Sequence, residues 1–293
     1  MAVVPFRLPA PGRPAEAART FVRTPAGRRL AFVERGQGPD VVLIHGTLMT
    51  ADDMALSVLD RLAADRRCVA FDRPGHGWSD HVRGGDASLW SQAATLRAAA
   101  RALGLRRPVL CGHSFGGAVA LAWAMAFPDD VSGAVALAPI CFPEPRLEQA
   151  LFGARAVPGW GDALSLALGA TLDPALLSAM WRAMFLPQPM PERFASGFPF
   201  ARAGRPEQLV AEGESAACYW ADLARSALGY PACPVPVAVL CGAADLVVNP
   251  FTQGAAAALL LPGGRLTLLP EVGHMLHHAE PAAVAAAVRS FAP

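Results

Sequence analysis

Short apolar runs, each closed by a turn and followed by an alanine-rich stretch of helical periodicity, constrain this chain more than any other feature. The runs are RRLAFVERG (28–36), DVVLIHG (40–46), RCVAFD (67–72), RPVLCGHS (107–114), SGAVALAP (132–139), PVAVLCGAAD (236–245) and RLTLLPEVGH (265–274). Helical patterns occupy 51–63, 89–103, 115–127, 252–261 and 281–291. Parallel strands need crossovers long enough to hold a helix, and this alternation supplies them. The expected class is α/β, a mostly parallel central sheet with helices on both faces. Near-continuous apolar strands such as 237–241 fit burial on both sides.

The rhythm breaks between about Phe142 and Tyr230, where proline-punctuated helical sequence such as FLPQPMPERF (185–194) carries no strand pattern. The expected organisation is a core in two parts, 1–141 and 231–293, interrupted by a helical insertion at 142–230. Within the first part, residues 1–20 are expected to be an N-terminal arm.

Composition narrows the function classes. At 293 residues and 53% apolar, the chain has ample material for a core, and 17% charged residues argue against disorder. A net charge of +1 provides no field to recruit nucleic acid or an anionic membrane. Every cation is arginine, which excludes lysine Schiff-base chemistry. The six cysteines are scattered without metal-ligand spacing and read as core thiols of a reducing compartment. The N-terminus lacks the apolar core of a secretion signal, and no uninterrupted stretch reaches the ~18 residues of a membrane span. A cytoplasmic protein with a small-molecule substrate is expected.

The chemistry concentrates at LCGHSFGG (110–117). A serine hydroxyl is a weak nucleophile until a neighbouring base takes its proton, and it must also be presented to substrate. A sharp strand-to-helix turn presents it, and small residues are needed two positions either side, where strand and helix backbones meet. Gly112 and Gly116 stand there around Ser114, the G-x-S-x-G nucleophile elbow in its required context. Three further strand ends carry LIHGTLM (43–49), GAADLVV (242–248) and LPEVGHMLHHAEP (269–281). They offer Asp245 and His274 in the chain order Ser, Asp, His.

With FDRPGHGWSD (71–80), these landmarks resemble the α/β-hydrolase superfamily over about residues 28–141 and 232–293. The resemblance implies a core sheet with an inserted lid, a Ser114–His274–Asp245 triad and no cofactor. Ser114 is then the nucleophile, His274 the general base and later acid, and Asp245 the group that fixes the imidazole tautomer. The backbone N–H groups of Thr47 and Phe115 would receive the oxyanion.

Competing residues receive plainer readings. His277 and His278 fall where the next helix begins, and Asp222 in the insertion is the weaker rival to Asp245. Asp72, Arg73 and His76 read as turn hydrogen bonds tying a loop beside the site. Thr50 followed by Asp53 reads as a helix capping box. No metal site is indicated.

Serine at the nucleophile position argues against dehalogenase and epoxide-hydrolase chemistry, which needs a carboxylate there. The expected reaction is hydrolysis of a carboxylic ester, or a related acyl bond, of a small, largely apolar substrate through an acyl-Ser114 intermediate. Alternatives are carbon–carbon bond hydrolysis of dienoic diketones, acyl transfer or perhydrolysis, and a non-catalytic ligand-binding protein. The insertion holds half of the aromatic residues in under a third of the chain, so an apolar pocket lined by Trp181 and Trp220 is expected.

Overall fold

The computed structural model describes residues 19–291, so residues 1–18 of the expected N-terminal arm lie outside the described residues. Those described form an eight-stranded sheet of β1 (Thr20–Arg23), β2 (Arg29–Arg35), β3 (Asp40–Ile44), β4 (Arg67–Phe71), β5 (Val109–His113), β6 (Gly133–Leu137), β7 (Val237–Gly242) and β8 (Gly264–Leu269). Their spatial order is β1-β2-β4-β3-β5-β6-β7-β8. β1 and β2 run antiparallel to their neighbours, and β3 to β8 are parallel. All seven runs marked in the sequence become strands. β1 is the addition: a four-residue edge strand with only Val22 buried, too short and too exposed to show an apolar pattern.

Side-chain alternation divides the parallel strands between two cores. Val42, Ile44, Val69, Leu110, Ala134 and Val239 face one side, where helices Leu89–Ala102 and Phe115–Ala126 pack. Val41, Leu43, Ala70, Cys111, Val135 and Leu240 face the other, against the helical run 51–62 and helix Pro281–Arg289. Both faces are covered, which is why these strands read as apolar throughout.

From β3 the chain crosses to β4 on one side, then returns to place β5 on the other side of β3. This reversal opens a crevice at the carboxyl ends of β3 and β5, the place where open α/β sheets bind ligands. His45 to Thr47 leave β3 there, and Ser114 leaves β5.

Between β6 and β7 the chain is helical and, among the described residues, contains no strand. Helices Trp160–Gly169, Asp173–Phe185 and Pro206–Gly229 are its longest. Phe152, Trp181, Phe185, Phe194, Phe198 and Phe200 form a third apolar cluster, which reaches the core through Leu48, Met49 and Met275. No single described helix is long and apolar enough to cross a membrane.

In the turn after β5, backbone packs closely against backbone. A Cβ on Gly112 would lie 2.1 Å from the Gly116 carbonyl oxygen, and one on Gly116 would lie 2.3 Å from that of Ile44. Both obstacles are backbone, so neither can move aside. Gly112→Ala should therefore destabilise by about 2–3 kcal/mol or more, as overpacking does. Urea unfolding measures this, and a wild-type midpoint would disprove the backbone clamp.

Candidate functional site

Ser114 sits between β5 and its helix at φ 54° and ψ −118°, a strained conformation for a residue with a side chain. Its carbonyl accepts from the Gly117 and Ala118 N–H groups. Its hydroxyl does not cap the helix. A serine placed only to begin a helix would use that hydroxyl for capping. Phe115 is the first helical residue, where an N–H has no intrahelical acceptor. A Cβ on Gly46 would come within 3.2 Å of the Ser114 Cβ, so the loop leaving β3 lies directly against the serine.

Asp245 and His274 follow β7 and β8, and the structure brings them together. Asp245 Oδ2 is 2.8 Å from His274 Nδ1, while Oδ1 accepts the N–H groups of Val247 and Val248 at 2.7 and 2.9 Å. Burial pushes the Asp245 carboxyl up, but His274 and these two amides outweigh it and hold it below its ordinary value. An ionised carboxylate only accepts, so His274 donates from Nδ1 and keeps Nε2 as a proton acceptor. His274 is further fixed through its carbonyl, which His113 Nε2 approaches at 3.1 Å. The His113 and His274 ring centroids are 4.7 Å apart, which places the imidazole beside the residue preceding Ser114.

His277 and His278 do not compete with His274. They turn to Asp53, with His277 Nε2 at 3.0 Å and His278 Nε2 at 2.8 Å. This corrects the capping-box reading of Thr50 and Asp53: the Thr50 hydroxyl donates to Asp52 at 2.7 Å, and Asp53 is fully buried against the two imidazoles. Burial raises the Asp53 carboxyl, yet its histidine partners hold it well below the usual range. Asp53, His277 and His278 could together hold a metal ion. Both Nε2 atoms are hydrogen-bonded to Asp53, and His277 Nδ1 is buried without a partner. Asp222 accepts from Ser88 Oγ and Leu89 N–H, capping helix Leu89–Ala102.

Asp72 ties the loop as expected, accepting from Ala51 and Trp78 N–H groups at 2.7 and 3.1 Å. Arg73 and His76 do more. Both are fully buried and meet Glu212 of helix Pro206–Gly229, Arg73 at 3.8 Å and His76 at 3.0 Å. Burial raises the Glu212 carboxyl, but His76, Arg73 and the Leu48 N–H outweigh that and hold it low. Gln208, Glu212, Ser215 and Tyr219 are all buried at 4-, 3- and 4-residue spacing, one stripe of that helix. The 208, 212, 215 and 219 spacing is present in the sequence, inside the expected helical insertion.

The two tryptophans expected at a pocket part company. Trp181 is buried against Phe198 and Phe200, and its indole N–H donates to the Leu48 carbonyl at 3.1 Å. Trp220 is 52% exposed, because its helix turns Tyr219 inward instead. The Tyr219 hydroxyl lies 3.5 Å from Thr47 Oγ1, and its ring is 5.6 Å from that of Phe115.

The alpha/beta hydrolase fold family matches residues 39–281. The chain belongs to that family. Among similar proteins, 2-succinyl-6-hydroxy-2,4-cyclohexadiene-1-carboxylate synthase of Serratia proteamaculans is 28% identical over 86% of this chain and 92% of its own length. A 2-hydroxy-6-oxo-2,4-heptadienoate hydrolase of Pseudomonas putida is 39% identical over 33% of this chain and 36% of its own. An esterase from Thermogutta terrifontis superposes with a TM-score of 0.74 at 23% identity, covering 94% of this chain and 98% of the esterase, a likeness of fold. This alpha/beta hydrolase therefore shares its fold with an esterase and is similar over a third of its length to a 2-hydroxy-6-oxo-2,4-heptadienoate hydrolase.

The buried imidazoles set a pH dependence. Burial, reinforced by Arg73 and His76 at His45 and by His277 and His274 at His113, pushes both imidazoles well below the ordinary histidine value. Below about 6.5 the unfolded chain takes up protons at these positions and the folded chain does not, so unfolding becomes easier as pH falls. Their contribution is complete above that value and lost toward the depressed folded ones. Asp53 and Asp245, also held low, add a second loss below about 4. The expected result is a Tm that falls from about pH 7.5 to about pH 5, with a shallower fall in His113→Asn. A flat Tm across that interval would contradict neutral, buried imidazoles.

Proposed function

We propose that this alpha/beta hydrolase cleaves a carboxylic ester of a small, largely apolar substrate through an acyl-Ser114 intermediate. The observation that carries the proposal is the strained, uncommitted hydroxyl of Ser114, whose preceding residue His113 packs its ring against the imidazole of a buried Asp245–His274 pair. In the proposed sequence Ser114 Oγ attacks the ester carbonyl while His274 Nε2 takes the hydroxyl proton. The oxyanion settles on the N–H groups of Thr47 and Phe115. His274 then protonates the leaving alcohol, and water, deprotonated by the same imidazole, releases the acid. Asp245 keeps the imidazole in the required tautomer and stabilises its cation.

We further propose that residues 142–230 act as a lid over this site. Ser114 is only 7% exposed and His274 only 2%, so substrate reaches them when the covering segment moves. A cavity of about 260 Å³ lies where this segment meets the Asp245 loop, lined by Glu144, Arg146, Glu148, Met180, Met184 and Val247 among others. Ser114 does not line it, so the lid is proposed to open it toward the serine.

The dienoate-hydrolase relative favours a second reading, carbon–carbon bond hydrolysis. The cavity supports the ester reading over it. Two carboxylates accompany Arg146, which is paired with both of them at 2.7 and 3.3 Å. A substrate carboxylate placed there would meet a net negative wall.

The test is a fluorophosphonate label followed by a p-nitrophenyl ester panel. Ser114 should carry the label, and Ser114→Ala should lose several orders of magnitude in kcat with its fold intact. Each buried methylene can add about 0.8 kcal/mol to binding, so kcat/KM should rise from acetate toward about C4–C8. Filling the cavity with Met180→Trp should move the optimum back toward acetate. Label on another residue would end the Ser114 assignment. Turnover of dienoic diketones alone would favour the second reading, and ester formation with an added alcohol would identify a transferase.

A further inference from the structure

The loop Gly46-Thr47-Leu48 is held by two opposite charges, one on each side of Thr47. Arg73 Nη2 donates to the Gly46 carbonyl at 3.0 Å. Glu212 Oε1 accepts the Leu48 N–H. His45 adds a second donor to the same carbonyl. Its Nε2 accepts the Arg73 backbone N–H at 3.0 Å, so the proton is on Nδ1, 2.9 Å from the Gly46 oxygen. The Gly46 carbonyl and the Thr47 N–H belong to one peptide plane and point in opposite directions. Fixing the carbonyl with a cation and an imidazole N–H therefore aims the Thr47 N–H, and polarises it as a donor.

The arrangement is poor as an ion pair. Arg73 and Glu212 come only to 3.8 Å, beyond hydrogen-bond distance, although both are fully buried. Arg73 Nε and Glu212 Oε2 are buried without a hydrogen-bond partner. A pair built for stability would close into a bidentate contact and satisfy those atoms. Here Arg73 directs Nη1 to Gln92 at 2.9 Å and Nη2 to Gly46, Glu212 directs Oε1 to Leu48, and His76 Nε2 stands between them, 3.0 Å from both Nη2 and Oε1. Leu48 itself has φ +60°, a backbone conformation that a leucine does not hold without support. The guanidinium also lies over the Phe115 ring at 4.6 Å, the residue that bears the second oxyanion donor.

We propose that Arg73 and Glu212 are positioning residues for oxyanion stabilisation, a split ion pair that sets the two peptides around Thr47. Glu212 belongs to helix Pro206–Gly229, so the inserted segment completes the donor that the core begins. The proposal rests on the ester-hydrolase reading of Ser114 and Thr47.

The experiment compares kcat/KM for a p-nitrophenyl oxoester and its thionoester in each variant. Sulfur accepts hydrogen bonds weakly, so oxyanion donors favour the oxoester, and the ratio is independent of the fraction of folded enzyme. Loss of a preorganised oxyanion donor typically lowers kcat by about 10²–10³. Glu212→Leu and Arg73→Met should each lower the oxo/thiono ratio at least about tenfold, mainly through kcat, with KM within about threefold. Glu212→Gln retains an acceptor for the Leu48 N–H and should keep the ratio within about threefold of wild type. If the larger changes prevent folding, Arg73→Lys decides: it keeps the charge but loses the fork, and the ratio should still fall. A wild-type ratio in Arg73→Lys, or in a folded Glu212→Leu, overturns the proposal. A wild-type enzyme without Ser114-dependent ester turnover fails the underlying reading instead.

Discussion

Three backbones meet at the carboxyl end of β5, and the rest of the site depends on how closely they approach. Gly112 and Gly116 allow the helix after Ser114 to rest on its own strand and on the end of β3. With a Cβ at either position, helix Phe115–Ala126 would be displaced and the serine would fall back toward an ordinary turn. The same approach brings Gly46 against Ser114. One packing constraint thus places the hydroxyl and the β3 loop together before any polar group acts. The strain at Ser114 is of the order of 1–3 kcal/mol, and the apolar strands and helices on both sides hold it.

Polar groups then set directions that packing alone leaves open. Asp245 uses both oxygens, one on His274 and one on the Val247 and Val248 amides, so the carboxylate cannot rotate away from the imidazole. On the opposite side, the stripe Gln208, Glu212, Ser215 and Tyr219 meets the core at Met49, Leu48, Gln92 and Thr47 respectively. Such a stripe is expensive in a buried helix unless each group finds a partner. Here the partners lie on the loops after β3 and β4 and on helix Leu89–Ala102. The inserted segment is therefore more than a cover, since it shares its hydrogen bonds with the part of the core nearest Ser114.

These relations explain what was legible in the sequence. The inner parallel strands were, because burial on both faces makes them continuously apolar, and the elbow was, because its glycines have a steric reason visible in the five residues Gly112–Gly116. Asp245 and His274 were legible through chain order and strand ends. Edge strand β1 was not, since one buried valine gives no pattern. Asp53 was misread because a carboxylate three residues after Thr50 looks like a cap, and its true partners are more than 220 residues away in the chain. Arg73 and Glu212 are separated by more than 130 positions, and only the fold brings them to one peptide. Local signals survive in a sequence, whereas pairings across the crevice do not.

The start of the helical run 51–62 shows how far one such pairing reaches. Its first N–H, on Ala51, donates to Asp72 at the end of β4, and Asp72 also pairs with Arg19 ahead of β1. Asp53, two residues further on, holds His277 and His278, and the His277 ring lies 4.2 Å from that of His113. His113 in turn reaches the His274 carbonyl. Removing one partner from a buried ion pair typically destabilises by about 3–5 kcal/mol, since the other charge stays behind unpaired. A single helix end consequently carries the antiparallel edge of the sheet on one hand and the His274 loop on the other. Asp72, which a reading of the sequence assigns to a turn, and Asp53, which it assigns to a cap, thus connect the antiparallel edge of the sheet to the loop that carries His274.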